Sequence, residues 1–201
     1  LLNIDNKTSL DENKNYAGKL IIIVGPSGTG KSELLKKIKF HFPKIEESIS
    51  FTTRPTRIGE INGKDYFFIT EDEFHKKKEK GDFFEWAKVH SNFYGTDIHF
   101  IKRKIQNGSF IVLDLDVQGA IFIQKNYRDL VKTIFIMPPS IDELKKRLLG
   151  RSTDSIEVIE ERVRNAKLEI KQKSLFDHIL INDNFDQCLE NLKNIIKEII
   201  N

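Results

Sequence analysis

Between Leu20 and Ser32 the chain reads LIIIVGPSGTGKS. Gly25, Gly28 and Gly30 lead into Lys31 and Ser32, which fits the pattern G-x-x-x-x-G-K-[ST] of a phosphate-binding loop. The chemistry follows from the residue types. Glycines let the backbone curl and bring bare N–H groups close to an anion, so Gly25, Ser27, Gly28, Thr29 and Gly30 form the cradle. A helix opening at the same point adds its positive end. Lys31 reaches the outer phosphates, and the Ser32 hydroxyl suits Mg²⁺. The motif gives a nucleoside triphosphate site and leaves the acceptor of the phosphate open.

Asp114 closes the apolar run FIVLD and has the form of an acid that helps hold Mg²⁺, although a turn-initiating aspartate reads the same way. Arginines supply the other half of the pattern. Arg54 and Arg57 fall between strand-like stretches, while Arg147, Arg151 and Arg162 fall in a late helical pair. Arginine binds phosphate oxygens in a planar, bidentate way and keeps its charge. A loop pair fits an acceptor phosphate, and a helical set fits a lid over the transferring group; taken singly, each is equally readable as a surface arginine. Phosphoryl transfer to a phosphate asks for positioning and charge neutralisation and needs no general base. This agrees with a chain of many arginines and no evident catalytic His or Cys.

The elements that must position these residues alternate. An apolar strand at Leu20–Val24 enters the loop, and a helix with Leu34, Leu35, Ile38 and Phe42 on one face runs to Phe42, where Pro43 ends it. Ser48 to Ile69 is strand-like, with turns at Gly59 and Asn62-Gly63. EDEFHKKKEKGD is a short charged helix ended by Gly81, and FFEWAKVHSNFYGT is strand-like again. Three further core strands are expected at Phe110–Asp116, Thr133–Ser140 and His178–Asn182. Helices fill Ile98–Gln106, the stretch from Val117, two segments around a break at Gly150–Ser155, and Gln187–Ile200. Ser155 is placed to cap the second helix of that pair. Strands alternating with helices imply a parallel α/β sheet, with ligands at the carboxyl ends of its strands. The β-rich block from about Ser48 sits inside this pattern as an insertion.

Composition sets the outer bounds. The 201 residues suffice for one domain, 31% are charged, and the net charge of +3 suits a small anionic substrate better than nucleic acid. One cysteine, Cys188, excludes an internal disulfide or a Cys-based zinc site, and the five histidines lack ligand spacing. No apolar run approaches the ~18 residues of a membrane span. Residues 1–18 are Asn-rich and charged; they read as a mobile tail in which only Leu1, Leu2 and Ile4 can dock. The segment does not read as a signal peptide, and a cytoplasmic protein is the expectation. The chain begins with Leu, as a trimmed sequence would.

From about Lys19 to Asn201 the chain resembles the guanylate kinase family. The resemblance rests on GPSGTGKS, SISFTTR, RIGEINGKDYFF, FFEWAKV, FYGT, LDLDVQGA, FIMPPS and LKKRLLGRSTD, in that order. It implies the P-loop nucleoside monophosphate kinase fold: a parallel-sheet core (19–47, 97–139 and 173–201), a β-rich GMP-binding subdomain (about 48–96) and a helical lid (about 140–172). It implies phosphorylation of GMP, and of dGMP, by ATP with Mg²⁺, by a monomer that engages neither nucleic acid nor membrane.

By the same resemblance, Arg54, Arg57, Tyr66 and Tyr94 match positions that hold the GMP phosphate. Ser50, Glu85 and Thr96, with Gly95 beside them, match those that read guanine, with Asp114 and Asp116 bordering the acceptor. Lys31, Arg54, Arg151 and Arg162 match the catalytic set. Arg147 belongs with ATP, Asn182 lies near its adenine, and Ser32 and Asp114 serve the metal. The chemistry is sensible: guanine offers N1–H and N2–H side by side to one ionised carboxylate such as Glu85. Adenine lacks that pair and would leave Glu85 unpaired.

Two departures stand out. The usual TTRxPRxGE is TTRPTRIGE here, with proline at Pro55, which puts the course of that loop in question. The usual GRG of the lid is GRS, with Ser152, which bears on closure. Two rival readings are weighed against this. A silent protein-binding module of the same fold typically loses the loop or the acceptor residues, yet Lys31, Ser32, Arg54, Arg57 and Glu85 all stand. A kinase for AMP or a ribose phosphate is opposed by Glu85 with Ser50.

Overall fold

The computed structural model describes residue 10 and residues 16–89, 91–150 and 155–200. Its centre is β1 (Leu20–Val24), whose five side chains are all completely buried. A strand covered on both faces reads as a continuous apolar run, as this one does. Alternation divides it: Leu20, Ile22 and Val24 enter one core cluster, and Ile21 and Ile23 the other. Burying each such side chain is worth roughly 1.5–3 kcal/mol.

Around β1 the parallel sheet has the order β2-β7-β1-β8-β9, where β2 is Ile45–Glu47, β7 Phe110–Asp114, β8 Val131–Met137 and β9 His178–Ile181. Helices α1 (Lys31–His41) and α7 (Phe185–Ile200) cover one face. On the other lie α3 (Ile98–Gln106) and α4 (Val117–Asn126). The sequence reading gave four core strands. The structure adds β2 on the edge: three residues carry too little pattern to register, but their backbone pairs with β7. β8 also starts two residues earlier than expected, at Val131.

The inserted block forms a separate four-stranded sheet in the order β4-β3-β6-β5, with β3 Phe51–Thr52, β4 Phe67–Phe68, β5 Phe83–Val89 and β6 Asn92–Asp97. Its own small core is aromatic, Phe74, Phe83, Trp86 and Phe93. Phe74 comes from α2 (Glu71–Lys80), which starts with a reciprocal Thr70–Glu73 capping box and stops at Gly81.

The helical pair is α5 (Ile141–Leu149) and α6 (Ile156–Lys171), joined through Leu144, Leu148, Ile159, Val163 and Ala166. The Ser155 hydroxyl accepts from Val158 N, so the expected cap is present. Arg151 and Ser152 lie outside the described residues.

One correction concerns the amino-terminal segment. Leu10 is 1% exposed and belongs to the β1–α3–α4 core, with Tyr16 packed against it. A lone leucine in a polar stretch has no period to flag it, so the tail reading missed it. Among the described residues no helix is long and apolar enough to cross a membrane.

Candidate active site

Four segments come together where the parallel strands end: the Gly25–Ser32 loop, Asp114 at the end of β7, the α5–α6 pair, and the Glu85 strand of the inserted sheet. This is where a parallel α/β sheet binds its ligands.

In the loop, Gly30 caps α1 in the left-handed region (φ 88°), and Ser27 and Ser32 are exposed. Thr29 is buried, its hydroxyl donating to Pro26 O at 2.9 Å and its backbone N–H to the same oxygen at 3.3 Å, so this residue braces the loop. Lys31 Nζ donates to Gly25 O (2.5 Å) and Pro26 O (3.3 Å). Its charge is also felt by two carboxyls, Asp114 and Glu169 on α6. Water reaches Asp114, yet dense protein around it raises its carboxyl above the usual range, with Lys31 opposing. Glu169 is raised by burial in the same way, and sequence reasoning missed it, because one glutamate in a helix of charges has no distinguishing pattern.

The donor set fits a hard divalent cation. Ser32 and Asp114 offer oxygens, and Mg²⁺ usually takes one or two protein oxygens and completes its shell with phosphates and water. Among the described residues no cluster of three or more His, Cys, Asp or Glu side chains could hold a metal without that help.

On the inserted sheet, Arg54 is the hub. Its guanidinium meets Glu60 in a two-pronged pair (Nη2–Oε1 2.7 Å, Nη1–Oε2 3.1 Å) and donates to Pro55 O at 2.8 Å. It lies over the rings of Tyr66 and Phe68, and it interacts with the Tyr94 hydroxyl. Burial pushes the Tyr66 phenol up to about 12, so it remains a donor. Glu60 also accepts from Arg57 N at 2.7 Å, while Arg57 itself is exposed. The shifted proline therefore leaves Arg54, Tyr66 and Tyr94 together, with both arginines tied to one carboxylate.

Sequence reasoning quoted Glu60 only as part of a motif; the spacing Arg57-x-x-Glu60 was the signal available. Glu60→Gln keeps the volume and loses the charge pairing. It is expected to raise the KM for the acceptor about tenfold, the scale of one charge-assisted hydrogen bond, while the KM for ATP stays unchanged. Steady-state kinetics with each substrate varied in turn checks this.

Glu85 sits on β5 directly opposite Thr96 on β6, and the Thr96 hydroxyl donates to Glu85 Oε1 at 2.7 Å. Glu85 is 5% exposed, and burial pushes its carboxyl up to about 8, against the Thr96 bond and with the Asp116 charge adding to the rise. Asp116 caps α4: Oδ1 accepts from Gln118 N and Gly119 N. Its Oδ2 and Glu85 Oε2 both flank Gly119, where an added Cβ would lie 3.4 Å from each. Two carboxyl groups thus flank Gly119, which sequence reasoning did not single out.

Ser50 is half-buried beside β3, where its carbonyl accepts from Phe67 N. Gly95 serves packing: its Cα lies against the Phe83 ring, with a Cβ only 2.8 Å from the nearest ring atom.

Arg162 is partly buried on α6. Arg147 is held, with Nη1 on Asn182 O (2.9 Å) and Nε on Glu143 Oε1 (3.1 Å). Asn182 is buried and its amide donates to Thr29 O at 2.7 Å. The side chain expected beside adenine is therefore engaged with the loop.

Comparison with known proteins identifies the family. The family described as Guanylate kinase matches residues 17–199. A guanylate kinase of Geobacter sulfurreducens is 46% identical over 179 residues, covering 89% of this chain and 88% of that protein. One from Thermotoga maritima is 42% identical over 180 residues, covering 90% and 86%. The crystal structure of guanylate kinase from Anaplasma phagocytophilum superposes with a TM-score of 0.75 at 31% identity, covering 91% of this chain and 86% of that one. Matched by the family model over residues 17–199 and by these relatives over about nine-tenths of its length, the chain belongs to the guanylate kinase family.

Proposed function

We propose that the protein transfers the terminal phosphoryl group of ATP to GMP, with dGMP as a second acceptor, as a cytoplasmic monomer using Mg²⁺. The observation that carries the acceptor is the buried Glu85–Thr96 pair. A buried carboxyl without a matching partner is costly. Guanine's adjacent N1–H and N2–H are a matching pair of donors, and adenine has none.

In this reading, Arg54, Arg57, Tyr66 and Tyr94 hold the acceptor phosphate, Ser50 donates to guanine O6, and Asp116 borders the base. The loop N–H groups and Lys31 hold the donor phosphates. Ser32 and Asp114 would hold Mg²⁺, which when bound would neutralise charge on the phosphates. Arg151 and Arg162 stabilise charge on that group as the lid closes, and closure excludes water, so that GMP and not water receives the phosphoryl. An acceptor phosphate oxygen is already anionic, which suits a site in which arginines and a lysine surround the phosphates.

A coupled assay of ADP release across GMP, dGMP, AMP and UMP is the test. GMP and dGMP are expected to turn over with kcat/KM at least about 10³-fold above AMP, the discrimination available to a site whose buried polar group is left unpaired by the wrong base. Equal rates on AMP and GMP would overturn the assignment.

A further inference from the structure

The connection between β9 and the phosphate-binding loop is closer than the roles above require. Asn182 follows β9, and its backbone is fixed at both ends. Its N–H donates to Met137 O at 2.8 Å, and its carbonyl accepts from Arg147 Nη1 at 2.9 Å. Arg147 is in turn braced by Glu143 one turn earlier on α5. From this platform the Asn182 amide donates to Thr29 O at 2.7 Å, across 153 positions of sequence. It lies so close to Gly30 that a Cβ there would fall 2.6 Å from Nδ2. On its other flank the loop touches α5, where a Cβ on Gly28 would meet Leu144 and Leu148 at 3.0 Å.

We propose that Asn182 is a positioning residue for the donor nucleotide, fixing the orientation of the Thr29–Gly30 peptide and linking it through Arg147 to the first lid helix. A trans peptide points its C=O and the following N–H in opposite directions. Holding Thr29 O therefore also sets the direction of Gly30 N–H, one of the donors that makes the loop an anion site. Without Asn182 the buried Thr29 carbonyl loses its side-chain donor, and the peptide is free to rotate that carbonyl toward a triphosphate, where it repels. Gly30 is required on two counts, the left-handed backbone and the space taken by the Asn182 amide. Asn182 acts through the loop and is not assigned a contact with the nucleotide.

The inference rests on the reading of the loop as the donor site, and the test separates the two. Asn182→Leu keeps the branched shape and removes the donor, whereas Asn182→Ala removes both. Isothermal titration with MgADP and, separately, with GMP is run on both variants and on the unaltered chain. The GMP stoichiometry counts folded molecules, so a partly folded variant is still readable, and Asn182→Ser, which shortens the arm without adding apolar atoms, gives a third measurement. All three variants are expected to bind MgADP about tenfold more weakly, the effect of one buried hydrogen bond, with GMP affinity within about twofold. In kinetics the KM for ATP rises and the KM for GMP does not. A purely space-filling role would leave the Leu variant binding MgADP as the unaltered chain does, and that result overturns the proposal. Absence of MgADP binding by the unaltered chain would instead overturn the donor-site reading itself.

Discussion

Lys31→Ala is expected to lower kcat by about 10³-fold while the protein stays folded. Removing a single preorganised donor from a site of developing charge costs about 10²–10³ in rate, and here the donor is also the loop's only cation. In the structure its Nζ rests on Gly25 O and Pro26 O, and its field opposes the upward shift of two carboxyls, Asp114 and Glu169. Without it both carboxyls move further up, and Asp114 becomes a poorer anion for Mg²⁺ as well. The structural loss is small by comparison. A partly buried hydrogen bond contributes about 1 kcal/mol, or about 2–4 °C in Tm for a chain of this size. Single-turnover kinetics alongside a thermal melt separates the two effects. Full activity in this variant would remove the loop from the mechanism.

That prediction could be made from sequence alone, because the loop is local. Thirteen consecutive residues hold the strand, the turn and the helix start, and each signal lies next to the others. β1 and β7 were legible for a related reason: strands buried on both faces are unbroken apolar runs. What was not legible depends on contacts between distant positions. Ile45–Glu47 is a strand only because β7 lies alongside it, and Leu10 is core only because the sheet folds beneath it. Within the site, the residue types were readable and their partners were not. Glu60 organises both arginines, yet as sequence it is one acid in a charged loop. Asn182 was read as a neighbour of adenine, and the pairing with Thr29 that occupies it spans most of the chain. The moved proline at Pro55 illustrates the same limit. It marked a changed loop, and only the coordinates show that the change leaves Arg54 paired with Glu60 and within reach of Tyr66 and Tyr94.

The second large effect concerns Glu85, which sequence reasoning took as an ionised carboxylate. In the free protein burial holds it up to about 8, so at pH 7 it is mostly protonated. A neutral carboxyl presents one donor and one acceptor face, whereas guanine's N1–H and N2–H require two acceptors. If Glu85 reads guanine as proposed, binding GMP must therefore expel a proton. Below pH 8 the apparent affinity falls by up to tenfold per unit, and between pH 7 and pH 9 it is expected to tighten by about tenfold.

This window avoids the second ionisation of the GMP phosphate, which lies near 6. Titration calorimetry in two buffers of different ionisation enthalpy should register close to one proton released per GMP at pH 7. The stability consequence has the opposite sign. Between the unfolded value of 4.5 and about 8, the folded chain carries a proton on Glu85 that the unfolded chain has lost, so this group's contribution to stability falls as pH rises through that range. Glu85→Gln removes both slopes: its thermal stability declines less from pH 5 to pH 8, and its KM for GMP no longer follows pH above 7. Its kcat/KM for GMP should fall about 10³-fold, because an amide NH₂ then faces a base N–H with no acceptor between them. A GMP affinity in the unaltered protein that stays flat from pH 7 to pH 9 would mean that Glu85 does not change its charge on binding. Guanine would then have to be recognised chiefly by the Ser50 hydroxyl and the loop around it, and Glu85→Gln would cost far less than is expected here.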